Sequence, residues 1–176
     1  MARPSGCVVD DQEYDTMKTA FSRTLCALAL GAGLSAGLVA QAQSLSAEDQ
    51  IKFRKAGYSF MSWNMGKIKA QVIDGSVAFD PAQVEAAAQA IAGIANSGMG
   101  ALFGPGTDQD AGEQRTRARP ELFQNFPDVA TLGNNMNRAA DNLLEQAKTG
   151  DQAKIRAAFG ELGQTCKACH DKYRAR

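Results

Sequence analysis

Residues 155–173 read IRAAFGELGQTCKACHDKY, and this stretch decides the fold. Six apolar or sulfur-bearing side chains recur in it at alternating steps of four and three residues: Ile155, Phe159, Leu162, Cys166, Cys169 and Tyr173. Such spacing places all six on one stripe of a helix that packs in a bundle. We therefore expect both thiols on the side of the helix that faces the core.

Three more helices are predicted before this one, which we term helix D and which Asp151 caps. Helix A spans residues 47–73 after a capping box at residues 46–49, helix B spans residues 81–96 after an Asp-Pro start, and helix C spans residues 128–148. Residues 97–127 form a long loop between B and C. Alanine is abundant and no segment alternates with a period of two, so we expect an all-α, up-down-up-down antiparallel four-helix bundle.

Residues 166–170, CKACH, match the pattern by which a c-type haem is attached covalently. Cysteines three residues apart on a helix share one face, as two thioether bonds to one porphyrin require. His170 projects about 100° further round the helix, so its imidazole can reach the iron. The motif predicts one haem c per chain, bound through Cys166 and Cys169 with His170 as the metal ligand, near one end of the bundle.

The same cysteines allow two other interpretations. A zinc site needs four ligands, whereas this region offers two cysteines and one histidine. A thioredoxin-type dithiol, the second reading, has its first cysteine at a helix N-terminus beside a βαβ unit. Here the pair lies in the last turns of a helix, which favours haem attachment over a helical redox dithiol.

The N-terminal region predicts export. Residues 17–42 contain a basic start, an apolar run and an Ala-Gln-Ala end, the grammar of a cleavable signal peptide. Glycines and a serine interrupt the run, which argues against a retained membrane anchor. The acidic residues 1–16 fit a signal peptide poorly and are interpreted as a mis-assigned or disordered extension. The expected mature chain is residues 43–176, in the periplasm, where haem attachment of this kind takes place.

Composition excludes several classes of function. The length of 176 residues is typical of one domain with a leader. With 19 Lys and Arg residues against 19 Asp and Glu residues, the chain lacks the basic excess of a nucleic-acid or polybasic membrane-surface protein. Its single histidine excludes a metal site with two or three histidines from one chain. No acid–base or nucleophilic constellation is present, so we do not expect an enzyme.

Taken together, these motifs resemble the cytochrome c prime family, the class II c-type cytochromes. The resemblance rests on CKACHDKYR at residues 166–174, FGPGT at 103–107, ARPELF at 118–123, and the Phe-Arg pair in helix A. Attachment so close to the C-terminus separates class II from class I. The resemblance implies a four-helix bundle, and two subunits that pair through helices A and B. Helix A is apolar on more than one side, which agrees with a homodimer.

The coordination position opposite His170 decides the function. A second strong ligand would give a low-spin electron carrier, and an open position would give a gas-binding protein. Low-spin members of the family use a methionine near the start of helix A, and residues 51–58 contain none. The resemblance puts Tyr58 at the distal position, with the orientation of its hydroxyl left open. Methionines elsewhere in the mature chain are Met61, the runner-up ligand, and Met65, Met99 and Met136.

The expected function is therefore a five-coordinate, high-spin haem protein that binds nitric oxide and carbon monoxide and exchanges electrons with an unidentified redox partner. The alternative is a low-spin electron-transfer cytochrome with Met61 as sixth ligand. The resemblance also implies roles around the haem: a propionate contact for Arg54 with Lys55 beside it, restriction of ligand entry by Phe103, edge positions for Arg119 and Glu121, and proximal cover by Arg174.

Overall fold

The computed structural model describes residues 45–176, and the predicted extension and signal peptide lie outside that range. Within it are five α-helices and one 3-10 turn, Met99–Leu102. The α-helices are α1 (Ala47–Val72), α2 (Pro81–Ala95), α3 (Pro120–Gln124), α4 (Phe126–Lys148) and α5 (Gln152–Tyr173). Helices A, B, C and D of the sequence analysis correspond to α1, α2, α4 and α5. The described residues contain isolated bridges and no β-strand.

The predicted helix starts are confirmed by their caps. The Ser46 hydroxyl accepts a hydrogen bond from the Asp49 amide at 3.1 Å. The Asp80 carboxylate accepts from the amides of Ala82 and Gln83, and Asp151 caps α5 in the same way. Each cap supplies an acceptor to amides that have no partner inside their own helix.

Two features differ from the prediction by more than one residue. Helix α4 begins at Phe126 rather than at residue 128, because Pro127 fits the first helical turn, where no amide hydrogen is needed. The connection between α2 and α4 was predicted as a loop, and the structure places a 3-10 turn and α3 inside it. We term residues 96–125 the crossover. Its short helix α3 begins at Pro120, again a proline in a first turn.

The four long helices form a ring in the order α1, α2, α4, α5, and α1 and α5 are the loosest neighbouring pair. Links of a few residues join α1 to α2 and α4 to α5, which makes each of those pairs antiparallel. The result is the predicted four-helix bundle. At one end, the open end, lie the start of α1, the crossover and the last turns of α5.

The opposite, closed end holds the hydrophobic core. Its side chains are almost fully excluded from water, and they include Ile68, Val72, Val84, Leu143 and Ile155. Alanines such as Ala87, Ala88 and Ala140 let the helices approach closely. Removal of this apolar surface from water is the main force that holds the bundle together. No helix within residues 45–176 is both long and apolar enough to cross a bilayer.

Helix α1 carries a second apolar surface on its outer side, as the sequence predicts. Phe53, Phe60 and Trp63 are 47%, 49% and 57% exposed. The rings of Phe60 and Trp63 lie 5.3 Å apart, and the Lys67 ammonium lies 4.0 Å from the Trp63 ring centre. We term Phe53, Phe60 and Trp63 the aromatic stripe. Large apolar side chains that remain together in water mark a surface that is suited to a partner.

Candidate functional site

The open end brings together three segments that are distant in sequence. The attachment motif lies in the last turns of α5, Tyr58 and Arg54 lie in the first half of α1, and Phe103 lies in the crossover. Antiparallel packing of α1 on α5 places the beginning of one helix beside the end of the other. Because these two helices pack loosely, the space between them is the natural place for a large flat group.

Cys166 and Cys169 occupy the stripe of α5 that the periodicity predicted. Ile155, Leu162 and Tyr173 on this stripe are buried, and both thiols are free and half-buried. Burial raises the pKa of Cys166 and of Cys169. Thiols with a raised pKa are poor nucleophiles at neutral pH, which argues against the redox-dithiol reading.

His170 follows the cysteine pair and is exposed. Among residues 45–176, no three His, Cys, Asp or Glu side chains come together as ligands for a bare metal ion. Two free thiols on one face of α5, with an accessible imidazole beside them, instead fit a porphyrin that brings its own four nitrogens to the iron.

Tyr58 lies on α1 across from the cysteines. Burial raises the pKa of its phenol to about 12, with smaller contributions from the nearby thiols of Cys169 and Cys166, while the Arg54 charge acts in the opposite direction. The side chain is 36% exposed, so water reaches part of it. A phenol with this pKa is neutral at physiological pH.

Arg54 is buried, with 5% of its surface exposed. Its Nη1 donates to the Leu102 carbonyl at 3.0 Å and to the Thr107 hydroxyl at 3.1 Å. Its Nη2 donates to the Thr107 carbonyl at 3.1 Å and to the Thr116 hydroxyl at 2.8 Å. Burial lowers the pKa of this guanidinium. The predicted propionate contact would therefore fall to Nε, since an arginine has five N–H donors and the crossover takes four of them.

Phe103 and Lys55, two other predicted site residues, lie in different surroundings. The Phe103 ring lies 4.4 Å from the Arg54 guanidinium carbon and 6.5 Å from the Phe123 ring. Lys55 is exposed and donates to the Gln114 side chain at 3.2 Å. Phe103 thus borders the open end together with Tyr58, whereas Lys55 ties α1 to the crossover at the surface.

On the imidazole side of α5, His170 lines an open cavity of about 710 Å³ together with Arg117, Arg119, Asp171, Arg174, Ala175 and Arg176. Arg119 and Arg174 therefore share a cavity with His170, as their predicted roles require. Glu121 lies in the adjacent groove with Arg119, Asp128 and Lys172.

Arg174 reaches this cavity from just beyond the end of α5. Helix α5 ends at Tyr173, and Arg174 is extended, with φ −116° and ψ 126°, while its amide donates to the His170 carbonyl at 3.2 Å. The extended tail pairs with the crossover. The Arg119 amide donates to the Tyr173 carbonyl at 2.9 Å, and the Ala175 amide donates to the Arg117 carbonyl at 2.8 Å.

Sequence reasoning missed several residues at this end. The Tyr173 hydroxyl donates to the Asp128 carboxylate at 2.6 Å, and the Lys172 ammonium lies 3.1 Å from the same oxygen. These hydrogen bonds lower the pKa of Asp128, and the same Asp128 bond raises the pKa of Tyr173. Thr107, Thr116 and Phe123 were missed as contact residues too. Of these six residues, Lys172, Tyr173, Thr107 and Phe123 belong to the quoted motifs, and Tyr173 is also part of the stripe.

The methionines are engaged in packing. Met61 is 5% exposed and belongs to the hydrophobic core, and Met65 and Met136 pack against it. Met99 is buried against Gly57, where a Cβ atom would lie 2.8 Å from the Met99 methyl carbon. Met99 therefore fills a gap on α1 that glycine leaves open.

Comparison with known proteins gives a consistent result. The family model described as Cytochrome C' matches residues 49–174. A curated cytochrome c' from Allochromatium vinosum is 49% identical over 160 residues, which is 91% of this chain and all of the relative.

Solved structures agree with the family match. A cytochrome c' described as having an unusual ligand-controlled dimer dissociation is 54% identical, with a TM-score of 0.72 over 75% of this chain and 98% of its own. Cytochrome c prime from Alcaligenes xylosoxidans is 32% identical, with a TM-score of 0.65 over 74% of this chain and 98% of its own. Its structures include a nitric oxide complex of one variant and a carbon monoxide complex of another.

Proposed function

The chain belongs to the cytochrome c' family, and we propose on that premise that it is an exported haem protein whose five-coordinate iron binds nitric oxide and carbon monoxide. Proteins of this family carry covalent haem c. In this chain Cys166 and Cys169 would hold the porphyrin through two thioether bonds, and His170 would ligate the iron. The fit is supported by two thiols on one face of α5, by the adjacent exposed imidazole, and by the loose packing of α1 against α5.

The proposal rests mainly on one observation: the methionines that could ligate the iron are packed in or against the core. Met61, the strongest candidate for a sixth ligand, is a core residue, and the other three methionines of residues 45–176 are also buried or packed against the core. Tyr58 carries a neutral phenol, which is a poor iron ligand. These placements favour an iron with His170 as its sole protein ligand.

The remaining site residues shape access rather than coordination. A haem held there would supply an iron able to bind a diatomic gas. Tyr58 and Phe103 would narrow the approach to the iron. Their aromatic rings form few hydrogen bonds with water, so water gains little by entering. Nitric oxide and carbon monoxide bind ferrous iron without a hydrogen-bond donor, so an aromatic wall favours them. Arg174 and Arg119 would cover the imidazole side, and Glu121 would lie at its edge.

Arg54 is suited to pair with a propionate at the acidic edge of the porphyrin. It is a buried cation, and none of its hydrogen bonds within residues 45–176 goes to a carboxylate. Isolated buried charges are costly, and an anion nearby relieves that cost. A propionate would supply this charge, with Nε as the donor.

The same protein would form a homodimer through α1 and α2. The exposed aromatic stripe on α1 supports this assembly, since such a surface is unfavourable in contact with water. The solved relative with ligand-controlled dimer dissociation shows that assembly and ligand binding are coupled in one member of the family. The predicted signal peptide supports a periplasmic location. A role in binding and electron exchange, rather than enzymatic turnover, is part of the proposal.

The test is a gas titration of the protein purified from periplasmic expression. Ferrous protein titrated with nitric oxide, and separately with carbon monoxide, should give spectral changes that saturate at one gas molecule per haem. Absence of binding would contradict the proposal. The alternative, electron transfer with Met61 as ligand, predicts that Met61→Leu converts a gas-inert protein into one that binds carbon monoxide.

A further inference from the structure

The crossover is fastened to the first half of α1 by side chains that reach out from the helix. The Gln50 side-chain oxygen accepts from the Gly104 amide at 3.0 Å, and the Glu48 carboxylate accepts from the Glu113 amide at 3.1 Å. The fit is close: a Cβ atom on Gly104 would lie 2.5 Å from the Gln50 oxygen. These contacts show that the crossover is shaped to lie on α1.

Arg54 is the central and only buried member of this set of fastening side chains. It makes four hydrogen bonds to three crossover residues that lie 48, 53 and 62 positions away in the sequence. Its planar guanidinium presents its donors in a fixed fork, so one side chain holds Leu102, Thr107 and Thr116 at fixed positions relative to each other.

The acceptors are themselves held in place. Thr107 is fully buried, and its hydroxyl donates to the Gly104 carbonyl at 2.9 Å while it accepts from Arg54. The Thr116 hydroxyl accepts from the Ala118 amide at 3.1 Å as well as from Arg54. Without the fork, buried acceptors on the crossover would lose their donor, which favours an alternative loop conformation.

The same guanidinium covers one face of the Phe103 ring at 4.4 Å. Phe103 directly follows Leu102, whose carbonyl Arg54 holds, so the ring is fixed by both its backbone and its face. Tyr58 lies one helical turn beyond Arg54 on α1. Arg54 thus sets the position of one wall of the open end relative to the other.

We infer that Arg54 is a positioning residue that locks the crossover onto α1 and thereby sets how readily a diatomic gas passes Phe103. The inference deepens the proposed function and rests on it for the gas. It assigns the fork of Arg54 to the protein's own loop, whereas a propionate contact would use the remaining Nε donor. The two roles depend on different properties of the side chain. Holding the crossover requires the planar guanidinium with its several donors, whereas pairing with a propionate requires only a positive charge.

The test compares Arg54→Lys, which keeps the charge, with the wild-type holoprotein and with Lys52→Gln. Lys52 is an exposed residue on the same helix and serves as the control. In Arg54→Lys, we expect hydrogen exchange of the Gly104, Thr107 and Glu113 amides to accelerate about tenfold or more, with α4 and α5 unchanged. We expect the association rate constant for nitric oxide to rise several-fold, while the ferric spectrum keeps the coordination of the wild type.

A second variant keeps the inference testable if Arg54→Lys folds poorly. Thr116→Val removes the acceptor of the shortest Arg54 bond without altering α1, and it should shift exchange and association in the same direction by a smaller factor. Full retention of both wild-type values in Arg54→Lys would overturn the inference, and so would faster exchange with an unchanged association rate. A wild-type protein inert to nitric oxide would contradict the proposed function, while amide exchange still tests the lock.

Discussion

The two ends of the bundle are built on different principles. The closed end is apolar: side chains such as Ile68, Val72 and Ile155 follow the helical spacing of their own helices and meet in a core that excludes water. The open end is polar, partly exposed and assembled from distant segments, with Arg54 bonded to residues up to 62 positions away. The closed end contributes most of the stability. Tighter packing at the open end would add stability, but it would leave no room for a ligand.

The difference shows where function resides in this fold. A core that closes completely has no room for a ligand, so the loosely packed α1–α5 pair is a feature of the site rather than a defect of packing. Gly57 and Gly104 also reflect this requirement for space. Because neither has a side chain, Met99 can approach the backbone at Gly57 and Gln50 can approach it at Gly104.

Removal of the two thiols should have the largest effect and should act on the open end alone. In a Cys166→Ala, Cys169→Ala double variant, covalent attachment has no sulfur to use, so the intact mass should fall by one haem per chain relative to the wild type. Lys167→Ala, a change between the two cysteines, is the matched control and should keep the haem. Covalent haem on the double variant would contradict the assigned attachment residues.

A cavity in the closed end should reduce stability and leave ligand binding unchanged. Leu143 is fully buried on α4, and its replacement in Leu143→Ala should lower the free energy of unfolding by about 2–5 kcal/mol. Guanidinium chloride unfolding of the holoprotein measures this change, and the carbon monoxide affinity of the folded variant serves as the second readout. A large change in affinity would mean that the two ends are not independent.

A charge on the aromatic stripe should separate the subunits with little effect on the fold. Trp63→Glu should sediment as a monomer at a concentration where the wild type is a dimer, because a carboxylate would be buried in the interface. The unfolding free energy of the monomer should change by about 0.5 kcal/mol or less. Phe126→Glu, at a residue 51% exposed on α4, is the control and should remain dimeric. Monomeric wild type, or dimeric Trp63→Glu, would exclude the stripe as the interface.

The smallest effect is expected from the Tyr58 phenol at high pH. Its pKa of about 12 in the folded protein exceeds its ordinary value of 10.0, so the folded state favours the neutral form. Stability from this group is fully present below pH 10 and is lost as the pH rises toward 12. The unfolding free energy of wild type minus that of Tyr58→Phe should therefore decrease across this window. A constant difference would place the phenol in water.

Local signals predicted the closed end and the attachment motif. The stripe on α5, the Ser46, Asp80 and Asp151 caps and the four long helices all follow from spacing or from cap chemistry, which depend on residues a few positions apart. The second apolar side of α1 was likewise predicted from the sequence.

The contacts of the open end were beyond the reach of such signals. Nothing in the spacing of Arg54, Thr107 and Thr116 indicates that they meet, because the crossover brings them together only after the bundle forms. The same holds for Asp128 and Tyr173, which lie on α4 and α5. The bridge between Arg174 and Ala118 is another such contact, since it joins the end of α5 to the crossover.

The coordination of the resting ferric iron tests the central claim most directly, and electron paramagnetic resonance together with the visible spectrum of the holoprotein measures it. We expect a high-spin signal, no charge-transfer band of methionine ligation, and an unchanged spectrum in Met61→Leu. A low-spin signal, together with a methionine band that disappears in Met61→Leu, would contradict the account. It would identify an electron carrier whose iron has Met61 as its sixth ligand.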